Sequence, residues 1–458
     1  MKMTVAEVAK AVSAINDVSR YADRVVTSAA FDSRNLKPGA LFVPLVAKRD
    51  GHQYLPAARR NGATASFWAA GHPNPPRDFP LIVVPDPFKA LQQLAHYYRR
   101  KVNPKVVAIT GSNGKTTTKD LAASLLGTQY LVTKTHANYN NGLGVPVTVL
   151  SMDPDTQILV VEMGMDHAGQ LDHLSKLVEP DVALITMIGE AHIEHFGTRA
   201  KIADAKVEIT HGLKANGTFL FNGDEPLLRE RAQHVSQRQL TFGDQHHNAI
   251  YPTWIRDRED HTDFMVNQFP KIRFAIPMIG NYNVNNACGA MLIAGLFDIT
   301  PANLKYGLTG ATLTQNRVEW RSGNQGERVL SDVYNSNPTA ARAVLKTFAA
   351  IPTHGKRIVV LGDMLELGRW AKPMHESLAR NLDPRRIQSV YLVGSDMRFL
   401  KRALVGKYPA NAVHYYHADQ LPQLTKDLKR EVTSADEVML KASHGIHLEK
   451  VLARLTDN

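Results

Sequence analysis

The stretch AITGSNGKTTTKD, Ala108 to Asp120, decides how this chain is read. It closes an apolar run, KVVAIT, and opens a helical pattern, KTTTKDLAASLL, so a glycine-bearing loop lies between a strand and a helix. Gly111 and Gly114 allow several backbone N–H groups to approach one anion, and the helix N-terminus adds its partial positive charge. In such a loop Lys115 sits on the β- and γ-phosphates of a nucleotide and Thr116 on Mg²⁺. The regular form, G-x-x-x-x-G-K-S/T, has glycine where this chain has Ile109, so only TGSNGKTT after a strand remains of it. An ordinary strand-to-helix turn is the plain alternative. The loop chemistry favours a nucleotide site made of Gly111, Ser112, Asn113, Gly114, Lys115, Thr116 and Thr117.

Outward from this loop the pattern alternates. KVVAIT, QILVVEM, DVALITMI and GTFLFN are short buried-strand candidates with helical stretches between them, which predicts a mostly parallel sheet covered by helices on both faces. From about Asn316 the same grammar returns in RIVVLG, SVYLVG and EVMLKAS, predicting a second, Rossmann-like α/β unit. Before the loop, LFVPLV, ATASFWAA and PLIVV are separated by turn-rich pieces such as DSRNLKPGA, which predicts a small α/β domain. The division is therefore 1–100, 101–315 and 316–458, an α/β chain of three domains with the phosphate loop in the middle one.

The 458 residues are too many for one ordinary core, and 44% hydrophobic with 21% charged residues is a globular balance. No apolar run approaches the ~18 residues that cross a bilayer, so stable membrane insertion is not expected. The N-terminus, MKMTVAEVAKAVSAIND, has helical spacing and no signal-peptide block. The single cysteine, Cys288, excludes an intrachain disulfide framework and suits a reducing cytoplasm; its surroundings, NNACGAMLIAGL, read as a buried helix. A formal charge of +11 favours polyanionic partners. The basic residues are scattered, with no zinc-finger or RNA-binding signature, which favours phosphorylated small molecules over nucleic acid.

Other segments carry less when read alone. THANYNNGLGVPVTVL is a polar loop with turn signals. VVEMGMDHAGQL ends a strand at Glu162, where a carboxylate points into the crevice of a parallel sheet and suits Mg²⁺, although an isolated strand-end glutamate is ordinarily solvated. IGEAHIEHFGT clusters Glu190, His192, Glu194 and His195, ligand types for zinc at spacings that fit no zinc pattern. Lys206 in ADAKVEI reads as a solvated helical charge, and Arg34 as one more exposed arginine.

TGSNGKTTTK resembles the Mur ligase family, the ATP-dependent amide-forming enzymes of peptidoglycan precursor synthesis and their folylpolyglutamate synthetase relatives. The resemblance extends over nearly the whole chain, and several motifs resemble the members that add D-alanyl-D-alanine. It implies an order of uridine-nucleotide-binding, ATPase and Rossmann-like domains, with ATP and two Mg²⁺ as cofactors. It implies UDP-N-acetylmuramoyl-tripeptide and D-alanyl-D-alanine as substrates of a cytoplasmic monomer, with no nucleic acid. The match of THANYNNGLGVPVTVL implies that Asn140 and Asn141 touch the muramoyl-peptide. Glu162 matches a metal ligand, His192 a ligand of the second Mg²⁺, and Lys206 a lysine that is carbamylated to serve as an oxygen donor. Lys115, His192 and Lys206 are thus the implied catalytic set, with His195 peripheral. MIGNYNVNNACGAMLIAGL matches at Asn283 and Asn286, which implies adenine contacts, and has Tyr282 where histidine is usual. TQNRVEW implies that Arg317 reaches the γ-phosphate. LSDVYNSNP implies Asp332 at the ribose, with Tyr334, Asn335 and Asn337 lining the same region. VVLGDMLELG, followed by His375, and LKASHGIHLE resemble C-terminal motifs, the latter with Ala442 and His444 in place of Gly and Arg. AFDSRNLKPGALFVPLVAKRDGHQY implies Ser33 and Arg34 near the uridine nucleotide. Two alternatives stay open: another amide ligase of the superfamily, adding an amino acid or glutamate, and more remotely a nucleic-acid-stimulated P-loop ATPase.

Overall fold

A computed structural model describes residues 1–314 and 318–456. The fold is mixed α/β. Its centre is a six-stranded parallel sheet in the spatial order Arg238–Phe242, Thr218–Asn222, Val182–Ile185, Lys105–Thr110, Ile158–Glu162, Val132–Lys134. Alternation along each strand explains why both faces are covered. Val106 and Ala108 enter one core while Val107 and Ile109 enter the other; Leu159 and Val161 divide from Ile158 and Val160 in the same way. Each fully buried valine or isoleucine contributes about 1.5–3 kcal/mol, so these short strands carry the domain.

Chain order reverses beside Lys105–Thr110: the next two strands lie to one side of it and the following three to the other. In open parallel sheets that switch point, at the carboxyl ends of the strands, is where ligands bind. The glycine loop follows the first of these strands, and Glu162 ends its neighbour.

The second six-stranded sheet runs Glu319–Ser322, Arg328–Asp332, Glu437–Lys441, Arg357–Gly362, Ser389–Val393, Val413–Tyr416, with only its first pair antiparallel. Val359 and Leu361 face one core, Ile358 and Val360 the other. The N-terminal region holds a four-stranded parallel sheet, Ser28–Ala30, Ala40–Phe42, Ala63–Ala69 and Leu81–Val84. A three-stranded antiparallel sheet, Pro252–Asp257, Thr262–Val266 and Phe274–Ile276, is an addition that the alternating grammar does not announce. The helical spacing at the N-terminus is realised only over Val5–Ala11, after a short strand at Met3–Thr4.

Helix Pro87–Val102 joins the first two regions. Asp86 caps it by accepting from the N–H groups of Phe88 and Lys89, Pro87 occupies the first turn, and Asn103 ends it in the left-handed conformation. Its buried face, Leu91, Leu94, Ala95 and Tyr98, meets helix Gly144–Leu150, and Arg99 Nη1 reaches Glu179 Oε2 at 2.8 Å. Among the described residues no helix is long and apolar enough to cross a membrane.

Candidate active site

Glycine is required twice in the loop after Thr110. Gly111 has φ +149°, and a Cβ there would stand 1.8 Å from Thr186 Oγ1; Gly114 has φ +82°, and a Cβ there would stand 2.3 Å from Asn286 Oδ1. The next strand of the sheet pins the loop: Ser112 N–H donates to the Met187 carbonyl at 2.9 Å, and the Thr186 hydroxyl donates to the Asn113 carbonyl at 2.5 Å. Lys115 Nζ folds back to the Gly111 carbonyl, 2.8 Å away, and Thr116 is buried behind it.

A cavity of about 1010 Å³ opens beside this loop. It gathers Gly111 to Lys115 with Asn140, Asn141, Glu162, His192 and Lys206, and from the C-terminal sheet Tyr334 and Asn335. Glu162 is 1% exposed. One of its oxygens accepts from Asn140 Nδ2 at 2.8 Å, while Oε2 is buried with no hydrogen-bond partner. An unsatisfied buried carboxylate oxygen is costly, and a cation is the group that satisfies it. Lys206 is 2% exposed, so its reading as a solvated charge is overturned. Burial, and then the Lys115 ammonium, push its amine well below the ordinary lysine value. His192, in the left-handed region at φ +62°, heads the turn Ile193–Phe196. Its Nδ1 lies 2.5 Å from Glu366 Oε2. That contact holds the Glu366 carboxyl below the usual range.

A second cavity, about 200 Å³, lies between the loop helix Lys115–Leu126, helix Asn281–Gly295 and the C-terminal helix Pro338–Ala350. It is lined by Asn113, Gly114, Thr117, Tyr282, Asn283, Asn286, Asp332, Asn335 and Lys441. The amides here are already engaged. Asn283 Nδ2 donates to the Ile279 carbonyl at 2.8 Å, and its Oδ1 accepts from Asn286 Nδ2 at 3.2 Å. The Asp332 carboxylate is held by Lys441 Nζ at 2.5 Å, because the two residues are register partners in adjacent strands. Lys441 also donates to the Asn335 carbonyl at 3.0 Å.

Several residues expected at the substrate also make structural bonds. Asn337 caps helix Pro338–Ala350 through the Ala340 N–H and exchanges amides with Asn113, so it serves as a joint between domains. Asn141 Oδ1 accepts from the Leu143 and Gly144 N–H groups, fixing the entry of the next helix. Ser33 and Arg34 line neither cavity. The Arg34 side chain is 84% exposed and bonded to Asp32, whose carboxyl it draws down to about 2. Arg317 lies outside the described residues.

The structure adds contributors that the motifs did not mark. Phe88, Lys89 and Gln92, which share one helical face, line the large cavity, and Gln92 Nε2 donates to the Gly142 carbonyl at 3.0 Å. Lys119, 1% exposed, bonds the Thr135 carbonyl at 2.9 Å. Its neighbour Asp120 accepts from Lys134 Nζ and from both the N–H and hydroxyl of Thr314, at 2.7, 2.9 and 2.8 Å. Asp50, His52 and His72 also bring metal-ligand types within 4.8 Å. There His52 Nε2 accepts from the Ala69 N–H, which assigns the proton to Nδ1 facing Asp50 and closes that nitrogen to a metal.

The chain matches the model of the Mur ligase middle domain over residues 109–294 and that of the Mur ligase glutamate ligase domain over 316–444. It is 36% identical over 459 residues to the UDP-N-acetylmuramoyl-tripeptide–D-alanyl-D-alanine ligase of Bacillus subtilis, covering 100% of this chain and 99% of the relative. It is 29% identical to the ligase of the same name from Escherichia coli, covering 97% of each. Its fold superposes on a crystal structure of MurF from Acinetobacter baumannii with a TM-score of 0.87 at 27% identity, covering 100% of this chain and 99% of that one. For MurF ligase from Thermotoga maritima in complex with ADP the TM-score is 0.80 at 27% identity, with 94% and 97% covered.

Proposed function

Because the chain belongs to the Mur ligase family, we propose that it joins D-alanyl-D-alanine to UDP-N-acetylmuramoyl-tripeptide at the expense of ATP, in the cytoplasmic synthesis of peptidoglycan precursors. Residues 1–100 then bind the uridine nucleotide, 101–315 bind ATP, and 316–458 bring the dipeptide, in one monomer. The observation that carries this reading is the convergence on one cavity of the phosphate loop, a buried carboxylate with an unsatisfied oxygen, and a buried lysine with a strongly lowered amine.

The acceptor is a carboxylate of the tripeptide. Its oxygen attacks the γ-phosphorus, the bond to the ADP oxygen breaks, and an acyl phosphate forms. The amine of D-alanyl-D-alanine adds to the acyl carbon, and the tetrahedral adduct collapses with loss of phosphate and a proton. The rate comes mainly from positioning and charge neutralisation. Lys115 places one positive charge over the loop. Glu162 fits Mg²⁺ through its buried, unpartnered Oε2, with Thr116 in the position the loop gives it. His192 and Lys206, which line the same cavity, would hold the second cation. When bound, the two Mg²⁺ supply Lewis-acid neutralisation of the phosphate oxygens.

Lys206 fits that role only after modification. An ammonium buried beside a second ammonium is unstable, whereas the neutral amine adds to CO₂ with loss of a proton to give a carbamate. The product is an anion with two oxygens that offsets Lys115.

Phosphate release from ATP, measured with each acceptor and amine alone and in pairs, tests the assignment. Turnover that needs both UDP-N-acetylmuramoyl-tripeptide and D-alanyl-D-alanine supports it. Turnover with a single amino acid as amine, or indifference to both with stimulation by nucleic acid, overturns it.

A further inference from the structure

The segment after strand Arg357–Gly362 crosses from the C-terminal region and lands on the turn that carries His192. Three contacts define the landing. The Glu194 N–H donates to the Glu366 carbonyl at 3.0 Å, Trp370 Nε1 donates to the Gly197 carbonyl at 3.2 Å, and Glu366 Oε2 meets His192 Nδ1 at 2.5 Å. His192 and Glu366 both stand in the left-handed region, at φ +62° and +60°. A residue held there without a glycine's freedom is strained, so the surrounding contacts hold both backbones in place.

The backbone bond and the Trp370 bond already tie the two segments together. The carboxylate is extra, and stability does not explain it. The side chains of His192 and Glu366 are 30% and 49% exposed, and a contact between side chains so open to water adds little to stability. Its geometric consequence is larger. With Nδ1 against the carboxylate, Nε2 is the nitrogen left for the cavity that His192 lines together with Glu162 and Lys206. A carboxylate on the far nitrogen fixes ring orientation and tautomer.

We propose that Glu366 is a positioning residue for His192, supplied by the C-terminal domain, so that the cation site on the central domain is completed only when the two domains dock. This rests on the reading of His192 as a cation ligand. Domain position and cation affinity are then linked: losing the dock loosens the site, and filling the site favours the dock.

Mn²⁺ titration of the full chain in the presence of ADP, followed by electron paramagnetic resonance, tests it with no turnover required. Four variants separate the possibilities. Glu366→Ala should weaken the more loosely held Mn²⁺ by about 10-fold or more, the scale set by outer-shell carboxylates in metal sites. Glu366→Gln, whose amide oxygen can still accept from Nδ1, should lose less. Trp370→Phe removes a docking bond without touching the imidazole and should lose clearly less Mn²⁺ affinity than Glu366→Ala. His192→Ala should match or exceed the loss in Glu366→Ala. Under turnover, Glu366→Ala should lower kcat with little change in KM for the dipeptide. Parental Mn²⁺ affinity in Glu366→Ala overturns the proposal, as does an equal loss in Trp370→Phe, which would make the carboxylate mere docking. Unchanged binding in His192→Ala overturns the ligand reading itself, and the proposal with it.

Discussion

Asn113 of the phosphate loop and Asn337 at the head of a C-terminal helix exchange side-chain amides across 224 residues of sequence. Asn113 Nδ2 donates to Asn337 Oδ1 at 3.1 Å, and Asn337 Nδ2 donates to Asn113 Oδ1 at 2.7 Å. The phosphate loop is thereby tied to the C-terminal α/β region.

Asn337 does two things that substitution can separate. Asn337→Ala loses both amide bonds and the helix cap, a cost of about 2–3 kcal/mol at about 1 kcal/mol each. Asn337→Ser keeps an N-cap oxygen but cannot make the reciprocal pair. Its melting temperature should therefore fall less than that of Asn337→Ala, by the worth of the cap, while ADP affinity falls by about 5-fold, the worth of roughly 1 kcal/mol. Calorimetry and ADP titration on both variants check this.

The phosphate loop should tolerate no side chain at its glycines. Gly114→Ala places a Cβ against Asn286 Oδ1 in a left-handed backbone, and Gly111→Ala drives one into Thr186. Each should destabilise by about 1–3 kcal/mol or more and abolish detectable ADP binding while leaving the far-ultraviolet circular dichroism of the folded chain unchanged.

Lys206 should carry CO₂. After exchange into ¹³C-bicarbonate, the native protein should show one slowly exchanging carbamate resonance that is missing from Lys206→Ala and Lys206→Arg. Both variants should lose at least about 100-fold in turnover, the scale of removing one preorganised charge-stabilising group. A carbamate signal that persists in Lys206→Ala would place the modification elsewhere.

The Asp50 network gives a pH-dependent term in stability. The His72 ring, then the backbone N–H and ring of His52, hold the Asp50 carboxyl well below the usual carboxylate range. A carboxyl lowered in the folded state contributes stability that is fully present above its unfolded value, about 4, and is lost as pH falls through the folded value. Asp50→Asn, which keeps the cap, should therefore melt below the parent at pH 7, with the gap closing below pH ~4. The Asp50 side chain is 42% exposed, so the gap should be a few degrees at most.

Much of this arrangement was legible in the residues. The strands of the two large sheets stand where short apolar runs alternate with helical ones, because strands buried on both faces leave that imprint. The phosphate loop was legible for the same kind of reason: its glycines are demanded by two atoms, Thr186 Oγ1 and Asn286 Oδ1. What stayed hidden depends on distance in sequence. Lys206 and Glu162 look like surface charges until the fold buries them, Asp332 is already taken by Lys441, and the Asn113–Asn337 and His192–Glu366 contacts join segments that no local pattern relates. Of the antiparallel strands, Pro252–Asp257 was illegible because Trp254 and its neighbours are largely solvated, while Thr262–Val266 and Phe274–Ile276 are buried but too short to leave a continuous apolar run.

The central claim is that a carboxylate takes up the γ-phosphate before the amide forms. Tripeptide labelled with ¹⁸O in its reacting carboxylate, turned over with ATP and D-alanyl-D-alanine, tests it directly. The account predicts one ¹⁸O in each phosphate released, read by mass spectrometry. Phosphate free of label, with the amide nevertheless formed, would contradict it.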